Sequence, residues 1–294
     1  MDRDVYSLQL KVYFRKYMRV FFNSKGLLKI LSTFIITAIV LSATSEQAFE
    51  RYDETRMAAF AIVCACIWTG LFNSIELICS ERNSIKQEHK SGNVEYSVFL
   101  FAHMMVEFIL CFVEAIIISA MILFVYSEKF TVDNKLDIAR VMSLGFSILL
   151  IIYASDMLGL MISSIVKNNK MAMTIMPFAL IIQLVLSDFI FQLEGWKIYL
   201  SNFTIAKWGL RALGISIKFN TMETALPDAE AKKLDFQAKE TIERFLGLTR
   251  QKYKNDYKPN LKNILIVFLV LIIFIVIQAL ISKLALERID KDER

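Results

Sequence analysis

Apolar residues in this chain gather into long runs, with no sustained alternation at strand length. Six runs reach the scale of a bilayer: residues 27–45, 57–79, 97–126, 141–166, 171–191 and 264–282. A hydrocarbon core about 30 Å thick takes roughly 20 apolar residues in a helix. Backbone groups in lipid must pair within their own segment, so each run predicts a helix. The missing period of two argues against a barrel. Ahead of the first run, Val5, Leu8, Val12, Met18 and Phe22 recur at roughly helical spacing, with Lys11, Arg15 and Arg19 on another face. That pattern predicts an amphipathic helix lying along the membrane surface. The stretch lacks the apolar centre and small-residue cleavage site of a signal peptide.

The expected fold class is an all-α polytopic membrane protein with six transmembrane helices, an N-terminal amphipathic surface helix and an outer re-entrant or helical segment between spans five and six. Four divisions follow. Residues 1–26 form a cytoplasmic connecting helix. Residues 27–192 hold spans one to five, with a short cytoplasmic helix over 80–95. Residues 193–260 form the outer segment, and 261–294 hold span six and a cytoplasmic tail. Within the outer segment, Trp196, Tyr199, Phe203 and Trp208 suit a membrane interface, while residues 221–260 are charged and helix-favouring.

Composition agrees with this layout. The 294 residues are 56% hydrophobic, with only three Pro and nine Gly, and the mean hydropathy is +0.49. The net charge of +5 concentrates on one side. That side carries the basic N-terminus, Arg82, Lys86 and Lys90, the turn with Lys167 and Lys170, and the tail with Lys283, Arg288, Lys291 and Arg294. The positive-inside rule makes it the cytoplasm, with both termini there and the protein in the plasma membrane. The bias accounts for the charge without a nucleic-acid partner. The four cysteines all fall in spans and read as packing residues.

No phosphate-binding G-x-x-x-x-G-K-[ST] loop, serine-nucleophile elbow or metal-ligand spacing occurs, so covalent chemistry, a bound cofactor and a metal are not expected in this chain. Ionisable residues do fall in or near spans: Glu76, Glu107, Glu114, Asp156 and Asp188. A charge at the bilayer centre costs about 3 kcal/mol on insertion scales, so it faces a cavity or a partner. Either a polar path or inter-helix hydrogen bonding satisfies that requirement. Pro177 favours a kink in span five, with Gln183 and Ser187 making a polar stripe beyond it. Between spans two and three, "SERNSIKQEHKSG" is charged at helical spacing. It suits a solvated connecting helix or a docking helix for a soluble motor.

The order of these features resembles the permease half of type-2 ABC exporters, and within them the white-type (G) subfamily. The residues that carry it are Glu76, Glu81-Arg82, Lys86, Glu88, Gly92 and Tyr96, then Pro177, "LVLSDFIFQL" and "FTIAKWGLRAL". The similarity covers roughly residues 57–220. Two departures stand out: Gln87 where the family has a basic residue, and Asp188 where it commonly has Gly. The outer loop also lacks the cysteines of animal members, which points to a bacterial-type subunit.

The resemblance implies two six-span halves around a central cavity, each served by a cytoplasmic ABC ATPase subunit that binds ATP and Mg and comes from another chain. It assigns ATPase coupling to Glu81, Arg82, Lys86, Glu88 and Gly92, and a polar relay to Glu76 and Glu81. Trp68, Phe72, Asn73, Pro177, Gln183 and Leu186 would line the substrate path. Export of an amphipathic or hydrophobic drug, lipid or peptide by alternating access is the implied activity. The alternatives are an ATP-independent immunity or channel-like protein and an intramembrane enzyme.

Overall fold

The computed structural model describes residues 3–22, 26–44, 48–91, 94–132, 135–191, 193, 195–219, 222 and 257–288. Gly92 and nearly all of the charged stretch 221–260 lie outside them. Helices α1 (Arg3–Val20), α2 (Gly26–Ala43), α3 (Tyr52–Ser74), α4 (Leu77–Lys90) and α5 (Tyr96–Tyr126) come first. A two-residue antiparallel ladder, Thr131–Val132 against Lys135–Leu136, then turns the chain back. Next come α6 (Ile138–Ile165), α7 (Asn169–Val185), α8 (Lys197–Ser201), α9 (Ile205–Ile217) and α10 (Leu261–Glu287).

Among the described residues five helical segments are long and apolar enough to cross a membrane: Gly26–Ala43, Tyr52–Lys90, Tyr96–Phe130, Ile138–Ile165 and Leu261–Glu287. The fifth expected run behaves differently. It is helical only over Asn169–Val185, 17 residues, or about 25 Å at 1.5 Å per residue. Its helix stops at Leu186, and Asp188 adopts a left-handed φ of 59°. The Asp188 carboxylate then accepts the Leu193 N–H at 3.0 Å. This is the position where the resembling family has Gly, and the backbone shows why: the turn needs positive φ, which Gly, Asn or Asp supplies at least cost.

α9 continues where α7 stops. Gln183 of α7 accepts the N–H groups of Ile205 and Ala206 at 2.8 and 3.3 Å, capping α9. Farther along, Gly209 lies against Ile151 and Val63. At the far end Arg140 donates to the Ile217 carbonyl at 2.8 Å, and Ser216 meets the hydroxyls of Ser143 and Ser147. α7 and α9 therefore run in succession beside α6. α9 is buried over most of its length, whereas α8 up to Leu200 and the flanking Trp196 and Phe203 are exposed.

Polar caps mark several helix starts, as orphan N–H groups require. Asp137 accepts the Arg140 N–H at 3.2 Å, and this bond, with Lys218 beside it, holds its carboxyl below the usual carboxylate range. Asn168 caps α7 and Asn260 caps α10.

The core of the bundle is the crossing of α3 and α6. Cys66, Gly70 and Ser74 form one small-residue row, and Ser155, Gly159 and Ser163 form the facing one. A Cβ on Gly70 would sit 2.3 Å from the Ile152 carbonyl, and one on Gly159 would sit 2.2 Å from the Ser74 hydroxyl. In lipid, close packing of small residues drives helix association, because apolar burial alone gains nothing.

Gly159→Val should therefore destabilise the chain by about 1–3 kcal/mol, the range for overpacking, read as a lower thermal midpoint in detergent. Gly145→Ala, where the nearest atom is 3.5 Å away, should leave the midpoint unchanged. At the α7 turn, Asp188→Gly keeps the backbone and should lose only the Leu193 bond, about 0.5–1.5 kcal/mol. Asp188→Val should cost at least the ~1–2 kcal/mol of left-handed strain. Equal midpoints for these two variants would contradict the turn argument.

Candidate functional site

α4 is fastened at both of its sides. Tyr17 of α1 donates its hydroxyl to Glu81 Oε2 at 2.9 Å, and Tyr13 donates to Glu88. Burial, reinforced by these carboxylates, pushes both phenols above their ordinary pKa, so both remain donors. His103 of α5 stacks on Tyr17 at 3.8 Å between ring centres. At the start of α4, the N–H groups of Ile78 and Cys79 donate to the Ser163 hydroxyl at 3.0 and 3.1 Å. Arg82 in turn donates to the carbonyls of Ser164 and Val166 at 3.0 and 2.9 Å. Each helix end thus satisfies the other's orphan groups. The face left outward carries Ser80, Asn83, Ser84, Gln87 and Lys90.

This arrangement locates the residues singled out for motor coupling. Glu81, Arg82 and Glu88 are engaged inward, toward α1 and α6. Lys86 is half-buried. Gly92 lies outside the described residues. Glu76 occupies the break between α3 and α4. It lines a cleft of about 320 Å³ with Lys29, Ser32, Phe72, Asn73 and Asn169. Glu81 lines a different cavity, with Tyr17, His103 and Glu107. The two carboxylates assigned to one relay therefore open into separate spaces, with Lys29 lining both.

Beneath α4 lies a buried polar cluster. Lys29 of α2 pairs with Glu107 of α5 at 3.5 Å and donates to the Asn73 carbonyl at 2.7 Å. Glu114, one face along α5, accepts from the Thr33 hydroxyl and the Asn73 amide, both at 2.8 Å. Asp156 of α6 is fully buried beside Glu107, and its main-chain carbonyl accepts from Ser74. Polar residues of spans one to four thus form one assembly across four helices.

The residues expected along a substrate path divide. Trp68 and Phe72 project from α3, 46% and 47% exposed, and Pro177 is exposed on α7. Leu186 is half-buried at the α7 terminus. Asn73 and Gln183 face inward, bonded to Glu114 and α9 respectively.

Three contributors escaped the sequence reading: Lys29, Tyr13 and Tyr17. Lys29 had a signal, as the lone charge in an apolar run. The tyrosines had only their spacing of four, which many helices share.

A search of the curated proteins finds no match. The family model for the ABC-2 type transporter matches residues 8–217, from α1 to the end of α9. Proteins of this type supply the transmembrane permease and work with a cytoplasmic ATPase, which the domain itself lacks. Apolar helices of membrane-spanning length and a match over more than two thirds of the sequence lead to one conclusion: the chain belongs to the ABC-2 type transporter family.

Proposed function

We propose that this chain is one transmembrane half of an ATP-driven exporter of the white-type pattern. It pairs with a second permease half and with separate ATPase subunits that bind ATP and Mg. It moves an amphipathic or hydrophobic compound outward across the plasma membrane by alternating access, and both its termini are cytoplasmic. The observation that carries this reading is the mounting of α4. A helix bonded to α1 on one side and to the end of α6 on the other moves as a block with both. Its outward face of Ser80, Asn83, Ser84, Gln87 and Lys90 is small and polar, suited to seat a soluble partner.

In this scheme the ATPase touches the outward stripe, and Glu81, Arg82 and Glu88 pass its movement to α1 and α6. ATP-driven closure shifts the permease only by favouring one of its two states. Trp68, Phe72, Pro177 and Leu186 contact substrate and the partner half, while Asn73 and Gln183 brace that surface from behind. α1 rests on the lipid surface through Leu8 and Val12 beside exposed Lys11, Arg15, Lys16 and Arg19. The chain performs no covalent chemistry of its own.

The test is co-purification with an ATPase subunit, followed by transport in vesicles. Ser84→Trp should abolish capture of the ATPase while leaving the thermal midpoint of the permease unchanged. Glu76→Ala should keep capture but lower substrate-stimulated ATP hydrolysis and transport at least tenfold. Transport that persists with no ATPase bound would favour the ATP-independent reading and overturn this one.

A further inference from the structure

α1 turns one face to the bundle and leaves the other bare. On the inward face Tyr13, Phe14, Tyr17 and Met18 pack against the core. The Tyr17 ring meets Phe99 edge-on, 6.1 Å between centres, and stacks on His103. Both partners stand near the start of α5, so α1 lies level with the end of a helix of membrane-crossing length. The chain enters another such helix, α2, at Gly26. That is the depth of lipid headgroups, outside the hydrocarbon core.

The bare face mixes two kinds of side chain. Leu8, Val12, Val20 and Phe22 are each more than half exposed. Lys11, Arg15, Lys16 and Arg19 are exposed among them. Leu8, Val12, Arg15 and Arg19 follow at spacings of three and four, so they form one stripe. Water disfavours the apolar members, and hydrocarbon disfavours the charged ones. The boundary between headgroups and acyl chains suits both, because Lys and Arg stems lie along apolar surface while their heads reach out.

The charge on this face is uncompensated. No Asp or Glu occurs between Asp4 and Glu46. The α4 carboxylates that reach α1, Glu81 and Glu88, are bonded to the Tyr17 and Tyr13 hydroxyls. Lys16 holds its ammonium over those two rings, 5.4 and 5.3 Å from their centres. Lys11, Arg15 and Arg19 form no ion pair among the described residues. Free cations interleaved with apolar side chains complement a phosphate that carries acyl chains. A soluble anion has no use for Leu8 or Val12, and a zwitterionic headgroup brings its own cation.

We propose that the exposed face of α1 is a binding site for acidic phospholipid, with Lys11, Arg15 and Arg19 on the headgroups and Leu8, Val12 and Phe22 among the upper acyl carbons, and that the bound lipid steadies α4 through Tyr13 and Tyr17.

The link to α4 follows from two faces sharing one short helix. Lipid that fixes α1 also fixes the hydroxyls that hold Glu81 and Glu88. This site rests on the membrane placement of α1 given above, and not on ATP-driven export.

The test titrates the purified full chain in neutral detergent with fluorescent phosphatidylglycerol and with the matching phosphatidylcholine. The acidic lipid should bind about tenfold more tightly or better, as attraction of several basic side chains to an acidic surface requires. Replacing the three cations together (Lys11→Gln, Arg15→Gln, Arg19→Gln) should remove the preference, whereas Lys11→Arg, Arg15→Lys, Arg19→Lys should keep it. Equal affinity for the two lipids in the unaltered chain would overturn the site, as would a preference that survives the Gln variant. Displacement of the lipid by excess inorganic phosphate would overturn the lipid assignment. In bilayers, adding phosphatidylglycerol to phosphatidylcholine should slow hydrogen exchange of the α4 amides several-fold. Tyr13→Phe with Tyr17→Phe should keep the lipid preference and lose that slowing. Exchange unaffected by phosphatidylglycerol in the unaltered chain would overturn the link to α4. Neither measurement contains an ATPase, so failure here leaves the export reading standing, and failed capture of an ATPase leaves this site standing.

Discussion

The close crossing of α3 and α6 is the contact on which the other parts of the bundle depend. Gly70 and Gly159 let the two backbones meet with no side chain between them. That approach sets the distance from α6 to everything α3 carries. It brings Asp156 into the layer of Asn73 and Glu107, and it lowers the end of α6 onto the start of α4 so that Ser163 and Arg82 can bridge them. A helix pair held by apolar side chains alone would stand farther apart, and neither polar layer would close.

Two kinds of polar contact then share the work. Near α4 they join helix ends, where carbonyls and N–H groups would otherwise lack partners. Deeper in, they join side chains from α2, α3, α5 and α6 around Lys29. The first kind ties α4 to the bundle. The second holds together helices that lipid would separate without penalty. Tyr17 belongs to both layers, bonded to Glu81 above and stacked on His103 below.

Much of this was legible in the sequence because bilayer length is a strong constraint. Runs of apolar residues gave the long helices and their order, and the charged stretch after span two marked α4. The break in the fifth run was less visible. Residues 171–191 are apolar throughout their first part, and nothing in hydropathy says that Asp188 will take a left-handed turn. The acidic residues of the site were readable one by one, but Lys29, Tyr13 and Tyr17 were not, and neither were the pairings. Glu107 and Glu114 share a face by arithmetic, yet their partners Lys29, Thr33 and Asn73 come from helices whose rotation the sequence does not set. Likewise the carboxylates of α4 were recognisable, whereas their engagement by tyrosines from α1 depends on how that helix lies across the bundle.

The short α7 has a consequence for the surrounding lipid. Its apolar length of about 25 Å at 1.5 Å per residue stands in the same molecule as helices of 27 to 31 residues. Hydrocarbon chains bordering it meet a lower wall than those beside α5 or α10. Mismatch of this kind costs fractions of a kcal/mol per ångström and is relieved by local thinning. Bilayer thickness therefore acts differently on a flank bordered by α7, or by the 18-residue α2, than on one bordered by α5 or α10.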